Sequence, residues 1–66
     1  MLTIKRYVDN GRTKLAPLTK TKEETQIMVN TIKKNGYKEM SIGTYHFRDV
    51  IVKIVDEDGN AVNFEI

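Results

Sequence analysis

Residues 21–36 read TKEETQIMVNTIKKNG, and this segment carries its own start, its own stop and one apolar stripe. Thr21 followed three residues later by Glu24 is a capping box, in which each side chain satisfies a free backbone N–H of the first turn. Glu23 and Glu24 stand near the positive end of the helix dipole, Lys33 and Lys34 near the negative end. Gly36 suits the left-handed residue that closes a helix. The spacing predicts a helix over about residues 22–35, with Thr25, Met28, Val29 and Ile32 on one face. A helix of this length is marginal alone in water, so the rest of the chain must supply a surface to cover that stripe.

The rest reads as strand. LTIKRYV and TKLAPL flank Asp9-Asn10-Gly11, a strong hairpin signal. Pro17 removes a ladder donor, which makes the second of these strands short, irregular or an edge. After the helix, Met40, Ile42 and Thr44 alternate with Glu39, Ser41 and Gly43, the period-two pattern of a half-buried strand. Gly43 and Thr44 permit a turn before YHFRDVIVKIV, a run rich in β-branched and aromatic residues. AVNFEI alternates again at the end. The expected fold is a single α+β domain over residues 1–66. It consists of an antiparallel sheet of four to five strands with one helix on one face, in the order ββ-α-βββ. The alternative is β-α-βββ, with residues 12–20 as an irregular connection.

Size limits what such a fold can do unaided. With 66 residues and no cysteine, neither a disulfide nor a thiolate metal site supports the core. A core this small rarely supplies more than ~3–5 kcal/mol. No apolar run is long enough for a signal peptide or a membrane span. The expectation is a cytoplasmic protein with no membrane association.

The stretch KIVDEDGNAVNF gathers acidic groups around Gly59 and invites comparison with a calcium loop. An EF-hand started at Asp56 would place Ala61 where glycine is required and its bidentate twelfth ligand beyond residue 66. A hairpin reading fits better. A three-residue loop, Glu57-Asp58-Gly59, pairs Asp56 with Asn60, Ile54 with Val62, Val52 with Phe64 and Val50 with Ile66. That register puts every apolar pair on one face.

Catalytic and cofactor chemistry finds no foothold. Ser41, His46 and Asp49 have triad chemistry, but on one strand Ser41 and His46 point to opposite faces about 16 Å apart. Nothing supplies an oxyanion hole. His46 is the only histidine, and the four glycines have turn or cap explanations. The expectation is a protein that is not an enzyme and carries no metal or cofactor.

Two binding readings remain. Residues 1–38 hold nine basic against three acidic side chains, and residues 39–66 hold two against six. In so short a chain the expectation is that the two halves pair and their charges largely cancel. If they do not, Lys5, Arg6, Arg12 and Lys14, with Tyr7 for stacking, form a basic N-terminal hairpin suited to nucleic acid. Lys33, Lys34 and Lys38 would add phosphate contacts. The leading expectation is contact with another protein, as an inhibitor or adaptor or as a homodimer. Its candidate residues are Ile27 on the back of the helix and Ile51, Val55 and Ala61 on the outer sheet face. AVNFEI, with only Glu65 charged, would add an open strand edge.

Overall fold

Six elements follow one another in the computed structural model, which describes residues 1–8 and 13–65. They are β1 (Leu2–Val8), β2 (Lys14–Lys20), α1 (Lys22–Lys34), β3 (Lys38–Ser41), β4 (Thr44–Phe47) and β5 (Val50–Val55). The five strands form one antiparallel sheet in the order β2-β1-β5-β4-β3. The first hairpin therefore belongs to the main sheet, and the architecture is ββ-α-βββ. Its predicted turn at Asp9-Asn10-Gly11, together with Arg12, lies outside the described residues.

α1 connects the two edge strands, β2 and β3, so it must traverse the whole sheet. Thirteen residues at ~1.5 Å each give a helix of about 20 Å. Five strands spaced ~4.8 Å apart give a sheet about 19 Å wide. The helix is as long as the sheet is wide. Its capping box is complete: the Thr21 hydroxyl oxygen accepts from the Glu24 N–H, and Glu24 Oε1 accepts from the Thr21 N–H, both at 3.1 Å. These hydrogen bonds, backbone first, hold the Glu24 carboxyl below the usual carboxylate range. Asn35 closes the helix, with Gly36 at φ +85° beyond it.

Thr25, Val29 and Ile32 are buried against the sheet, with Met28 half-buried beside them. The core beneath comprises Ile4 of β1, Tyr45 of β4, Val52 and Ile54 of β5, and Phe64. Ile4 stands opposite Ile54 and Val52 opposite Tyr45, so one face of three central strands is apolar apart from Arg6, which is also in register with Val52.

The strand boundaries after the helix differ from expectation. YHFRDVIVKIV is two strands, split by a two-residue turn at Arg48-Asp49 where Arg48 takes φ +53°. The predicted strand through Met40, Ile42 and Thr44 breaks at a turn formed by Ile42 and Gly43. β3 is an exposed edge, not a half-buried strand. At the other edge, β2 carries one extra residue between Leu15 and Leu18 relative to Arg6 and Ile4, a bulge at Ala16-Pro17. That is where a proline without an N–H does least harm.

The acidic stretch is a turn. The Asp56 N–H donates to the Asn60 carbonyl and the Gly59 N–H to the Asp56 carbonyl. Asp56 Oδ1 accepts from the backbone N–H groups of Asp58 and Asn60 at 2.9 Å. Gly59 takes φ +82°. Val55 pairs with Ala61, and the Val62 N–H reaches the Ile54 carbonyl, in the predicted register. The pairing then ends. AVNFEI is not a strand, because β5 already has β1 on one side and β4 on the other, leaving Val52 no free edge for Phe64. The proposed Val50–Ile66 pair lies outside the described residues. Instead the tail runs along α1: Gln26 Nε2 donates to the Glu65 carbonyl and Lys33 Nζ to the Phe64 carbonyl, each at 2.9 Å. Lys33 Nζ also sits 5.8 and 5.7 Å from the ring centres of Tyr37 and Tyr45, which pack edge to face. The tail fastens one flank of the helix.

Candidate nucleic-acid interface

Among the described residues one helix packs on one face of the sheet, and no second helix packs on the other, although Thr44 and Val55 are buried there. Alternation assigns the bare face residue by residue. One row across all five strands reads Lys14, Tyr7, Ile51, His46 and Lys38. The next reads Lys5, Lys53, Thr44 and Ser41. A third reads Thr19, Thr3 and Val55. No carboxylate stands at any of these positions. Acidic groups gather elsewhere: at the start of α1, in the 56–58 loop, at Glu39 in register with Tyr45, in the Asp49 turn and at Glu65.

Lys5 lies directly across from Lys53. Like charges in directly opposite cross-strand positions are destabilising. Lys5, Lys14, Lys38 and Lys53 are all exposed, and none forms an ion pair among the described residues. The ion pair that is present joins the Met1 ammonium to Glu57 at 2.9 Å. Both partners are exposed, so it contributes little. Among the described residues, ion pairing between the two halves is limited to this contact. The fold sorts charge by face, and Lys53, from the acidic half, joins the basic side.

Of the basic hairpin set, Lys5, Tyr7 and Lys14 come together around a shallow concavity of about 310 Å³ beside Pro17. Arg6 also borders it, but in register with Val52 it belongs to the helix-facing side, where its Nη2 donates to the Ala16 carbonyl at 2.8 Å. Neighbours on a strand point to opposite faces, so Lys5 and Arg6 never served one surface. Lys33 is taken up by the tail. Lys53 and His46 were missed, because only the β1–β5 and β4–β5 pairings bring them to this face.

The protein-contact residues do not form one patch. Ile27 is 67% exposed on the back of α1, on the far side from the bare sheet face. Ile51 is half-buried between Tyr7 and His46. Val55 is only 5% exposed, and Ala61 beside it is exposed. The open edges are β2 and β3, not the last segment. β3 shows Met40 and its turn shows Ile42, 54% and 60% exposed.

Comparison with known protein families, curated proteins and solved structures finds no match for this chain. No helix among the described residues is long and apolar enough to cross a membrane.

Proposed function

We propose that this chain is a non-catalytic module that binds single-stranded nucleic acid across its bare sheet face. The observation that carries the reading is the opposed Lys5–Lys53 pair on an exposed, carboxylate-free surface flanked by Lys14 and Lys38. Four ammonium groups without an ion-pair partner among the described residues repel one another, and a phosphate backbone laid across the strands relieves that repulsion while releasing counterions. Tyr7, half-buried in the row between Lys14 and Ile51, offers a ring for base stacking. The shape favours a single strand. A sheet about 19 Å wide does not enter a major groove ~12 Å across, whereas an unpaired strand follows a flat, charged surface.

Fluorescence anisotropy with labelled single-stranded DNA, single-stranded RNA and duplex tests this. Single strands bind more tightly than duplex, and log affinity falls with log salt at a slope of about −3, from ~0.7 for each of four neutralised phosphates. Lys5→Glu removes binding. No salt-dependent binding to any nucleic acid rejects the reading. Equal binding of polyglutamate transfers the surface to an acidic protein partner.

A further inference from the structure

The two flanks of α1 differ. One is closed by the tail at Gln26 and Lys33. The other, carrying Met28, Thr31 and Asn35, stands over an open cavity of about 500 Å³ between the helix and the β2 side of the sheet. That volume lies within the range of small-molecule sites. Its walls are largely apolar, with Leu18, Met28, Phe47 and Val52 among them. Among the described residues, Arg6 and Lys20 alone bring charge to it, and no carboxylate lines it.

Arg6 is the unusual wall residue. It stands opposite Val52 on one side and Leu15 on the other, so its guanidinium is set among apolar neighbours. One N–H is used: Nη2 donates to Ala16, whose carbonyl is turned out of the ladder by the bulge next to Pro17. Nε is fully buried and has no hydrogen-bond partner among the described residues. A guanidinium offers five N–H donors in a fixed fork. Nε is closed to solvent, so the Nη N–H groups beyond it are the donors open to a ligand, and a carboxylate accepts from two of them together.

We infer that this cavity binds a small amphipathic carboxylate, with its head on Arg6, Lys20 adding long-range attraction, and its apolar body between Met28 and the sheet. The cavity lies on the helix side of the sheet and shares Arg6 and Leu15 with the concavity beside Pro17. Apolar walls alone would accept any hydrocarbon. The Arg6 guanidinium at the wall favours those with an anionic, planar, two-oxygen head.

Decanoate and decanol are suitable probes, since they share a tail and differ in the head. The full chain is titrated with each, and methyl shifts are followed by NMR. Decanoate produces saturable shifts at Leu18, Met28 and Val52 and binds at least about tenfold more tightly than decanol, the factor expected for a charge-assisted hydrogen bond. Arg6→Gln removes that preference and leaves decanol binding as it was. Lys20→Gln reduces the preference only slightly. Absence of saturation, shifts confined to the bare sheet face, or decanol binding as tightly as decanoate overturns the proposal. The wild-type ratio decides the matter even if Arg6→Gln does not fold.

Discussion

β5 is read twice, once from each side. Val50, Val52 and Ile54 face the helix, and Ile51, Lys53 and Val55 face away. On the first side apolar side chains predominate, with Arg6 set among them, and a helix as long as the sheet is wide packs over them. On the second side no helix covers the sheet, and although Thr44 and Val55 are buried there, lysines from β1, β2, β3 and β5 are exposed and stand without counter-charge among the described residues. Stability and binding are thus divided between two faces of the same strands. The division implies that substitutions on one side change folding and leave binding alone, and that those on the other do the reverse.

The largest effect is expected at Phe64, 2% exposed although it belongs to no strand. Phe64→Ala leaves a void under α1 and costs about 3–5 kcal/mol, comparable to all that so small a core supplies. Loss of the cooperative transition in urea is the expected result. Ile27→Ala, on the back of α1, changes the midpoint little. If the two variants behave alike, the tail does not close the covered face.

Gly43 comes next. It takes φ +70°, its carbonyl accepts from the Ile54 N–H, and a Cβ there would lie 2.8 Å from the Val62 carbonyl oxygen and 2.9 Å from that of Ile54. The turn cannot open without lifting the tail off β5. Gly43→Ala is expected to cost about 2 kcal/mol, within the range for left-handed strain, and to speed hydrogen exchange at the Val62 N–H. An unchanged exchange rate would mean that the contact is not tight.

These two sites show what the sequence reveals and what it conceals. The helix was legible because its cap, dipole charges and stripe are local. The 56–60 turn was legible because Asp56 and Gly59 supply its hydrogen bonds and its positive φ within five residues. Pro17 announced an irregular edge and occupies one. The Arg48-Asp49 turn was hidden, since arginine at φ +53° gives none of the usual glycine or asparagine signal. AVNFEI alternates like a strand, but whether β5 has a free edge depends on β1, more than forty residues earlier. The basic face was half legible: Lys5, Tyr7 and Lys14 alternate onto it in the sequence, whereas Lys53 needs the same long-range pairing.

Tyr45 offers a smaller test of the covered side. Its ring is fully buried, and its hydroxyl, near the Phe64 backbone, makes no well-formed hydrogen bond among the described residues. Burial, and then the Glu39 carboxylate, push its pKa above the ordinary value near 10, against a lowering influence from the Phe64 backbone. The neutral phenol is therefore favoured by folding. The stability it contributes is whole below pH about 10 and is lost as pH rises toward the higher folded value. Tyr45→Phe is expected to leave stability at neutral pH within about 1 kcal/mol or to raise it, and to shift the alkaline unfolding limb to higher pH. A drop well beyond that at neutral pH would show that the hydroxyl is satisfied.

The smallest effect on folding belongs to the bare face and separates the two sides most sharply. Lys53→Glu replaces a like-charge pair with an opposite-charge pair across from Lys5. Such an exchange is worth about 0.2–1 kcal/mol in favour of folding, and the exposed site requires no repacking. Urea midpoints should rise slightly, and the gain should shrink in high salt as the new pair is screened. In the same variant the central cation of the face becomes an anion, so anisotropy with single-stranded DNA should fall to background. A stabilised chain that no longer binds assigns the two faces their separate roles. A variant that binds as before ends the nucleic-acid reading. One that unfolds would mean that the lysine stem packs on Ile51 and Val55 and that the face is structural.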